Sequence, residues 1–139
     1  VEKFYSRHYP DKEEGLRVLE ALLRSGATTE GPNKTARAAV FLLHRALRDK
    51  VFSVYSLASS VVTYFFSHYI TNKVSTAEIT RSVDKILPEL LSKSGDSTPR
   101  VHNTAVHTIL SMAHSQELRY GTRVHRIYLS DGRSTFCCL

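Results

Sequence analysis

The side chains best able to do chemistry in this chain of 139 residues are its seven histidines and two cysteines. His102 and His107 are five positions apart, on different faces of a helix, and His107 and His114 are two turns apart, too far to share an ion. Cys137 and Cys138 are adjacent, so they cannot join distant elements, and a metal site needs more ligands. The sequence contains no recognisable Ser-His-Asp or Cys-His set of catalytic side chains. We therefore expect no enzyme, no metal site and no cofactor.

The segment between Gly26 and Thr35 is close to a phosphate-binding loop. In that motif the lysine directly follows the second glycine, so that backbone amides and the ammonium converge on one phosphate. Here Pro32 and Asn33 precede Lys34, and the segment before the loop has helical rather than strand periodicity. We interpret these residues as a connection between helices.

The formal charge of +6 favours an acidic partner, either nucleic acid or an acidic protein surface. The basic residues are spread along the chain, so nucleic-acid binding rests on net charge alone and we do not expect it.

Five aromatic residues could suggest a base-stacking platform, but their helical spacing is typical of a core: Tyr55, Tyr64, Phe65, Phe66 and Tyr69. No apolar run approaches the roughly 20 residues of a membrane span, so no membrane partner is expected. The paired cysteines indicate a reduced, intracellular protein.

The helices that must position these residues occur in the sequence as two similar copies. Shifted back by 47 positions, residues 86–113 superpose on a weaker copy, with Asp96 on Asp49, Val101 on Val54 and Ala105 on Ala58. A period of about 40–47 residues is typical of HEAT or armadillo helical repeats. We therefore predict an all-α fold, an α-solenoid of about three HEAT-like helix-turn-helix repeats.

The repeats are expected to occupy residues 1–114, and residues 115–139 are expected to form a C-terminal segment of uncertain fold. Asp11 is expected to cap the first helix, Ser75 and Glu78 to form a capping box, and Pro99 to begin the last helix. The predicted helices span residues 11–25, 34–49, 52–71, 75–94 and 99–113.

The sequence Ile86-Leu-Pro88, followed by Gly95-Asp96 and Arg100-Val101, resembles the TOG subclass of HEAT repeats, the tubulin-binding arrays of microtubule-regulating proteins. Residues 37–58 look more specifically like the single TOG domain of a centrosomal protein found at ciliary tips. The resemblance implies a paddle whose intra-repeat turns line up along one edge and grip the tubulin heterodimer. A TOG domain typically has more repeats and an aromatic anchor in its first turn. This chain has no tryptophan and room for about half of such an array, so the resemblance implies either a fragment or a shortened variant of a TOG domain.

Carried onto this sequence, the edge consists of the turns at residues 49–52 and 95–100, which should lie together. The implied tubulin-binding residues are Lys50, Phe52, Lys93, Ser97 and Arg100, with Phe52 as the apolar anchor. The resemblance further implies other centriolar or ciliary partners, and regulation of microtubule or ciliary-tip dynamics. It implies a location in the cytoplasm and cytoskeleton, at the centrosome, centriole and cilium tip. Charge reversal at Lys50 and Arg100 should weaken tubulin binding more than reversal at Lys3 and Arg7.

An alternative function is that of a HEAT-repeat scaffold that does not bind tubulin. It would hold a partner peptide or helix in the groove formed by the second helices of the repeats. Exposed residues of the last helix, such as Asn103, His107 and Ser111, would then matter more than the turns.

Overall fold

The computed structural model describes residues 1–115, which contain helices and turns and no strand. Within this part of the chain a 3-10 turn, Glu2–Tyr5, is followed by five α-helices. These are α1 (Tyr9–Ser25), α2 (Pro32–Leu47), α3 (Phe52–Tyr64), α4 (Thr76–Ser94) and α5 (Pro99–His114). A π-helical turn, Phe65–Tyr69, continues α3. The all-α prediction is confirmed for this part of the chain.

The helices form two layers. In one layer α2 packs beside α4, and the 3-10 turn packs against the other side of α2. In the second layer α3 packs between α1 and α5. Residues 1–115 therefore form three stacked pairs: the 3-10 turn with α1, α2 with α3, and α4 with α5.

This stacking places the connections at two opposite edges. The turns within pairs, at residues 6–8, 48–51 and 95–98, lie at one edge, which we call the turn edge. The connections between pairs, at residues 26–31 and 70–75, lie at the other edge. There the side chain of Asn33 accepts a hydrogen bond from the amide of Ser75 at 2.9 Å.

The core fills the space between the two layers. Every helix contributes fully buried side chains, among them Leu16, Leu43, Ala58, Leu87 and Met112. Their helical spacing gives each helix one apolar stripe, and stacking buries these stripes together. None of the helices in residues 1–115 is both long and apolar enough to cross a bilayer.

Prolines mark helix starts more often than the sequence predicts. Asp11 is not the cap of α1, because the helix begins at Tyr9 with Pro10 in its first turn and His8 as the N-cap. Asp11 instead accepts a hydrogen bond from the Ser6 hydroxyl at 2.7 Å. The first helical positions lack intrahelical partners for their amides, so a proline there loses no hydrogen bond.

Helix α2 likewise begins at Pro32, two residues before the predicted start, and α5 begins at Pro99 as expected. One half of the predicted capping box of α4 is present, with the Ser75 hydroxyl accepting a hydrogen bond from the amide of Glu78 at 3.3 Å. The other half is replaced, because the Ser75 amide bonds Asn33 and the Glu78 carboxylate bonds Arg37. Helix starts that use side-chain caps and those that use proline therefore occur in the same chain.

The third helix differs from the single segment expected over residues 52–71. Its α-helical part ends at Tyr64, and the π-helical turn after it holds Phe65, Phe66 and Tyr69 in the core. The rings of Phe65 and Phe66 meet edge-on with centroids 5.0 Å apart. Tyr55 is also buried, and Tyr64 is half-buried beneath the guanidinium of Arg24. The aromatic set therefore belongs mainly to the core, as its spacing predicts. The predicted C-terminal segment lies, beyond Ser115, outside the described residues.

Candidate binding edge

The turn between α2 and α3 is closed by Asp49. One carboxylate oxygen accepts a hydrogen bond from the amide of Val51 at 2.9 Å, and the other accepts from the ammonium of Lys12 at 2.5 Å. Burial by itself would raise the pKa of Asp49, but the Lys12 and Val51 hydrogen bonds and the charges of Lys12 and Lys93 hold it below its usual value. Asp49 therefore stays ionised and ties the start of α1 to this turn.

The turn between α4 and α5 is closed in the same way by Asp96. Its carboxylate accepts a hydrogen bond from the amide of Thr98 at 2.8 Å. That bond, together with the Thr98 side chain and the charge of Lys93, lowers the pKa of Asp96 although slight burial opposes it. An aspartate that bonds the amide two residues on is a common turn-closing device. Asp49 and Asp96 thus occupy equivalent positions in the sequence repeat because each closes the turn of its helical pair.

Side chains join these two turns directly. The guanidinium carbon of Arg100 lies 4.3 Å from the centre of the Phe52 ring, and the ammonium of Lys93 lies 5.5 Å from the centre of the Tyr55 ring. The Tyr55 hydroxyl donates a hydrogen bond to the carbonyl of Val101 at 3.5 Å. Burial raises the pKa of Tyr55, and the charge of Asp96 adds to the rise. The two turns therefore share one edge.

The five residues implied by the resemblance occupy different environments at this edge. Lys50, Ser97 and Arg100 are exposed, and Lys50 has no ion pair with any residue in the described part of the chain. Lys93 is half-buried, close to both turn-closing aspartates. These four polar residues line the α2–α3 and α4–α5 turns and the last turn of α4.

Phe52 does not project from the edge as an anchor. Its ring is half-buried against the core, and Arg100 covers its outer side. A cation over an aromatic face is an attractive arrangement, so Phe52 holds Arg100 in place. The exposed apolar side chain in this turn is Val51, at 37% of its full accessibility.

A third turn of the edge is not predicted from the sequence. Residues 6–8 join the 3-10 turn to α1, and the Lys12–Asp49 pair places them beside the α2–α3 turn. Arg7 in this turn is exposed, so it belongs to the same edge as Lys50 and is not a neutral comparison for it. Pro10 is the sequence feature that could have predicted this turn. Interpreted as the second residue of a helix, it places the turn directly before Tyr9.

The other sequence candidates are not assembled into sites. No three histidine, cysteine, aspartate or glutamate side chains between residues 1 and 115 are grouped so that they could hold a metal ion. The segment from Gly26 to Gly31 connects α1 to α2 at the edge opposite the turn edge, and Gly26 adopts the left-handed conformation that ends α1. The interpretation of this segment as a connection fits its position.

The groove between α3 and α5 is the surface required by the scaffold alternative. It holds a cleft of about 460 Å³ lined almost entirely by serine and threonine hydroxyls, with Asn103 and His107 at its side. Asn103 and His107 are exposed and Ser111 is half-buried. Among residues 1–115, no lysine, arginine or carboxylate and no large apolar side chain lines this cleft. This groove therefore lacks the anchors that the turn edge has.

A family model described as "Centrosomal protein CEP104, TOG domain" matches residues 1–128. The chain belongs to the CEP104 TOG domain family. The curated relatives it matches include "Centrosomal protein of 104 kDa" from Homo sapiens, 32% identical over 86% of this chain. The protein of the same name from Rattus norvegicus is 31% identical over 83% of this chain. The chain spans 13% of the length of each of these relatives.

Two solved CEP104 TOG structures share the fold. "CEP104 TOG domain" matches with a TM-score of 0.76 and 29% identity, over 84% of this chain and 47% of that one. "Structure of the TOG domain of human Cep104" matches with a TM-score of 0.78 and 25% identity, over 96% of this chain and 62% of that one. The predicted resemblance to TOG domains and the HEAT-like solenoid are thus confirmed. The chain therefore spans less than two thirds of either solved TOG chain.

Proposed function

We propose that this chain is a non-enzymatic TOG module that binds the tubulin heterodimer through the turn edge. The observation that carries the proposal is the alignment of three turns, at residues 6–8, 48–51 and 95–98, with exposed basic side chains on or beside each. The family of centrosomal proteins to which the chain belongs supports a microtubule-associated role. Within this proposal the module acts in the cytoskeleton, at the centrosome or centriole and the cilium tip, where it helps to regulate microtubule or ciliary-tip dynamics. Other centriolar or ciliary proteins are further partners.

The turn edge suits an acidic, folded partner such as tubulin. Asp49 and Asp96 fix the turns, so exposed cations on them lose little conformational freedom on binding. Arg100 is held over Phe52, and Lys50 extends freely from the α2–α3 turn. Such charges speed association and select the partner, while Val51 offers a small apolar contact at the centre of the edge.

The test reverses charge on the turn edge and compares it with the same reversal at the opposite edge. In the first variant Lys50 and Arg100 become Glu, and in the control Lys34 and Lys73 become Glu. All four side chains are exposed, and the two variants change the net charge by the same amount. Circular dichroism checks that each variant folds. Tubulin affinity, measured by gel filtration and fluorescence anisotropy at low salt, should fall about tenfold or more in the first variant. It should remain close to wild type in the control.

The salt dependence gives a second readout. Because exposed ionic contacts are screened, wild-type affinity should weaken as ionic strength rises, and the first variant should respond less. Equal losses in the two variants would refute the assignment of the turn edge. A correctly folded chain, by circular dichroism, that does not bind tubulin at low salt would refute the proposed function itself.

A further inference from the structure

Phe41 is exposed on the outer side of α2, in the layer that α2 forms with α4. Its side chain is 53% accessible, whereas the other phenylalanines of residues 1–115 are buried or half-buried. The core does not use Phe41. A large exposed aromatic side chain in a binding surface is commonly an anchor point for a partner.

Phe41 lies between two clefts that form one groove along α2 and α4. The smaller cleft, about 240 Å³, has Val40 and Ser82 in its lining. The larger, about 510 Å³, extends toward the 3-10 turn and includes Phe4 and Ala46. Phe41 and Lys85 line both clefts, so they mark the middle of the groove. We call this surface the α2–α4 groove.

The α2–α4 groove is strongly basic. Its lining contains two carboxylates, Glu78 and Asp49, and six lysine or arginine side chains. Two of the basic side chains, Arg45 and Lys85, have no carboxylate partner within residues 1–115. Glu89 lies 3.0 Å from His44 and 4.0 Å from Arg48, so the excess of positive charge in the groove is that of Arg45 and Lys85.

Several of these cations are already held in position. Arg37 and Arg81 approach the same oxygen of the buried Glu78 carboxylate at 2.9 and 3.5 Å, so one negative charge serves two guanidinium groups. Arg45 donates to the carbonyl of Phe4 at 3.2 Å and its guanidinium carbon lies 4.1 Å from the centre of the Tyr5 ring. Pre-organised guanidinium groups bind carboxylates at a reduced entropic cost.

We propose that the α2–α4 groove binds an acidic peptide segment of a protein partner. An apolar side chain of that segment packs on Phe41 and enters the smaller cleft beside Val40. Aspartate or glutamate side chains on either side of it pair with Arg45 and Lys85. The combination of an apolar anchor with flanking cations favours a peptide that alternates apolar and acidic residues over a uniform polyanion. The larger cleft reaches Arg48 and Asp49 of the turn edge. Phe41, Arg45 and Lys85, which carry the proposal, lie outside the three turns, and the proposal does not depend on tubulin binding.

The test uses fluorescein-labelled synthetic peptides and the full chain. One probe is a short Asp/Glu-rich peptide with a central Leu-Phe pair, and the second has Ser-Ser in place of that pair. Fluorescence anisotropy should show that the first probe binds about tenfold tighter than the second, the effect expected for burial of one apolar anchor. Phe41→Ala and Lys85→Glu should each weaken the first probe about fivefold or more.

Matched variants control for general effects on the surface. Leu22→Ala removes an exposed apolar side chain from α1, and Lys73→Glu reverses an exposed charge at the edge opposite the turn edge. Both should bind the first probe as the wild type does. The double reversal at Lys50 and Arg100 should also leave probe binding unchanged, which separates this site from the turn edge.

Three results would overturn the proposal. In the first, the two probes bind equally, which would remove the role of the apolar anchor. In the second, Phe41→Ala has no more effect than Leu22→Ala. In the third, a single-stranded oligonucleotide of equal charge competes as well as the first probe and depends equally on Phe41, which would make the groove a nucleic-acid surface.

Discussion

Glu78 connects two helices through several interactions of a single residue. Its backbone amide completes the cap of α4, and its buried carboxylate accepts hydrogen bonds from Arg37 on α2. The Arg37 hydrogen bond is the main cause of a lowered pKa for Glu78; burial opposes it, and the charges of Arg37 and Arg81 add to it. Glu78 is therefore ionised at neutral pH and ties α4 to α2.

Replacing Glu78 with Gln should destabilise the fold. The amide group presents hydrogen-bond donors toward Arg37 and carries no charge, so we expect a loss of about 1–2 kcal/mol in the free energy of unfolding at pH 7. Urea denaturation followed by circular dichroism measures this. The lowered native pKa means that the wild-type advantage is complete above the usual value of 4.5 and is lost as the pH falls through the native pKa.

The matching control is Glu14→Gln. Glu14 pairs with Lys3 at 2.7 Å, but both side chains are exposed, so its loss should change stability by less than about 0.5 kcal/mol. A Glu78→Gln variant that is as stable as Glu14→Gln at pH 7, or whose deficit persists unchanged at pH 3, would contradict the role given to the buried carboxylate.

At the scale of elements, the sequence predicts the start of α4, which a side chain caps, but wrongly makes Asp11 the cap of α1. Ser75 and Glu78 have the spacing of a capping box, and one of its two hydrogen bonds, from the Glu78 amide to the Ser75 hydroxyl, is present. Proline has two opposite meanings, as a terminator and as a first-turn residue, and the choice depends on the residues on its C-terminal side. The predicted helices therefore begin after Pro10 and Pro32, although both prolines lie within the helices of the structure. The π-helical turn that ends α3 depends on the packing of its aromatic side chains and has no local sequence signal.

The cap of α4 can be tested by replacing Ser75 with Ala. This leaves the amide of Glu78 without its side-chain acceptor and should lower the free energy of unfolding by about 1 kcal/mol. Ser60→Ala is the control, because Ser60 is an exposed residue inside α3, where alanine is the better helix former. Thermal denaturation should show a lower midpoint for Ser75→Ala alone. An unchanged midpoint would mean that solvent replaces the cap.

For the whole molecule, the solenoid could be predicted because the same helical pair is written twice, with Asp49 and Asp96 at equivalent positions. The first pair could not be predicted, because its 3-10 turn has only four residues and has no matching copy elsewhere in the repeat. The sequence also could not predict how far each site residue is exposed to solvent. Phe52 is half-buried because Arg100, 48 positions later, packs on it. Contacts between residues so far apart in the sequence form only when the helical pairs stack.

The third turn leads to a prediction for the whole edge. If tubulin contacts all three turns, Arg7→Glu should weaken binding by about threefold on its own and add to the effect of reversing Lys50 and Arg100. Sedimentation with soluble tubulin across a concentration series measures both effects. Lys34→Glu serves as the single-charge control at the opposite edge. An Arg7 variant that behaves like the Lys34 variant would limit the contact surface to two turns.

The separation of the two edges has a practical consequence for labelling. The connection at residues 26–31 is exposed for most of its length, and it begins with Gly26 in the left-handed conformation. Surface loops of this kind accept insertions with little loss of stability. A fluorescent tag or a small reporter domain placed after Thr29 would therefore project from the side of the solenoid opposite the turn edge. Such a fusion would report on the position of the module in a cell while its three turns remain unobstructed.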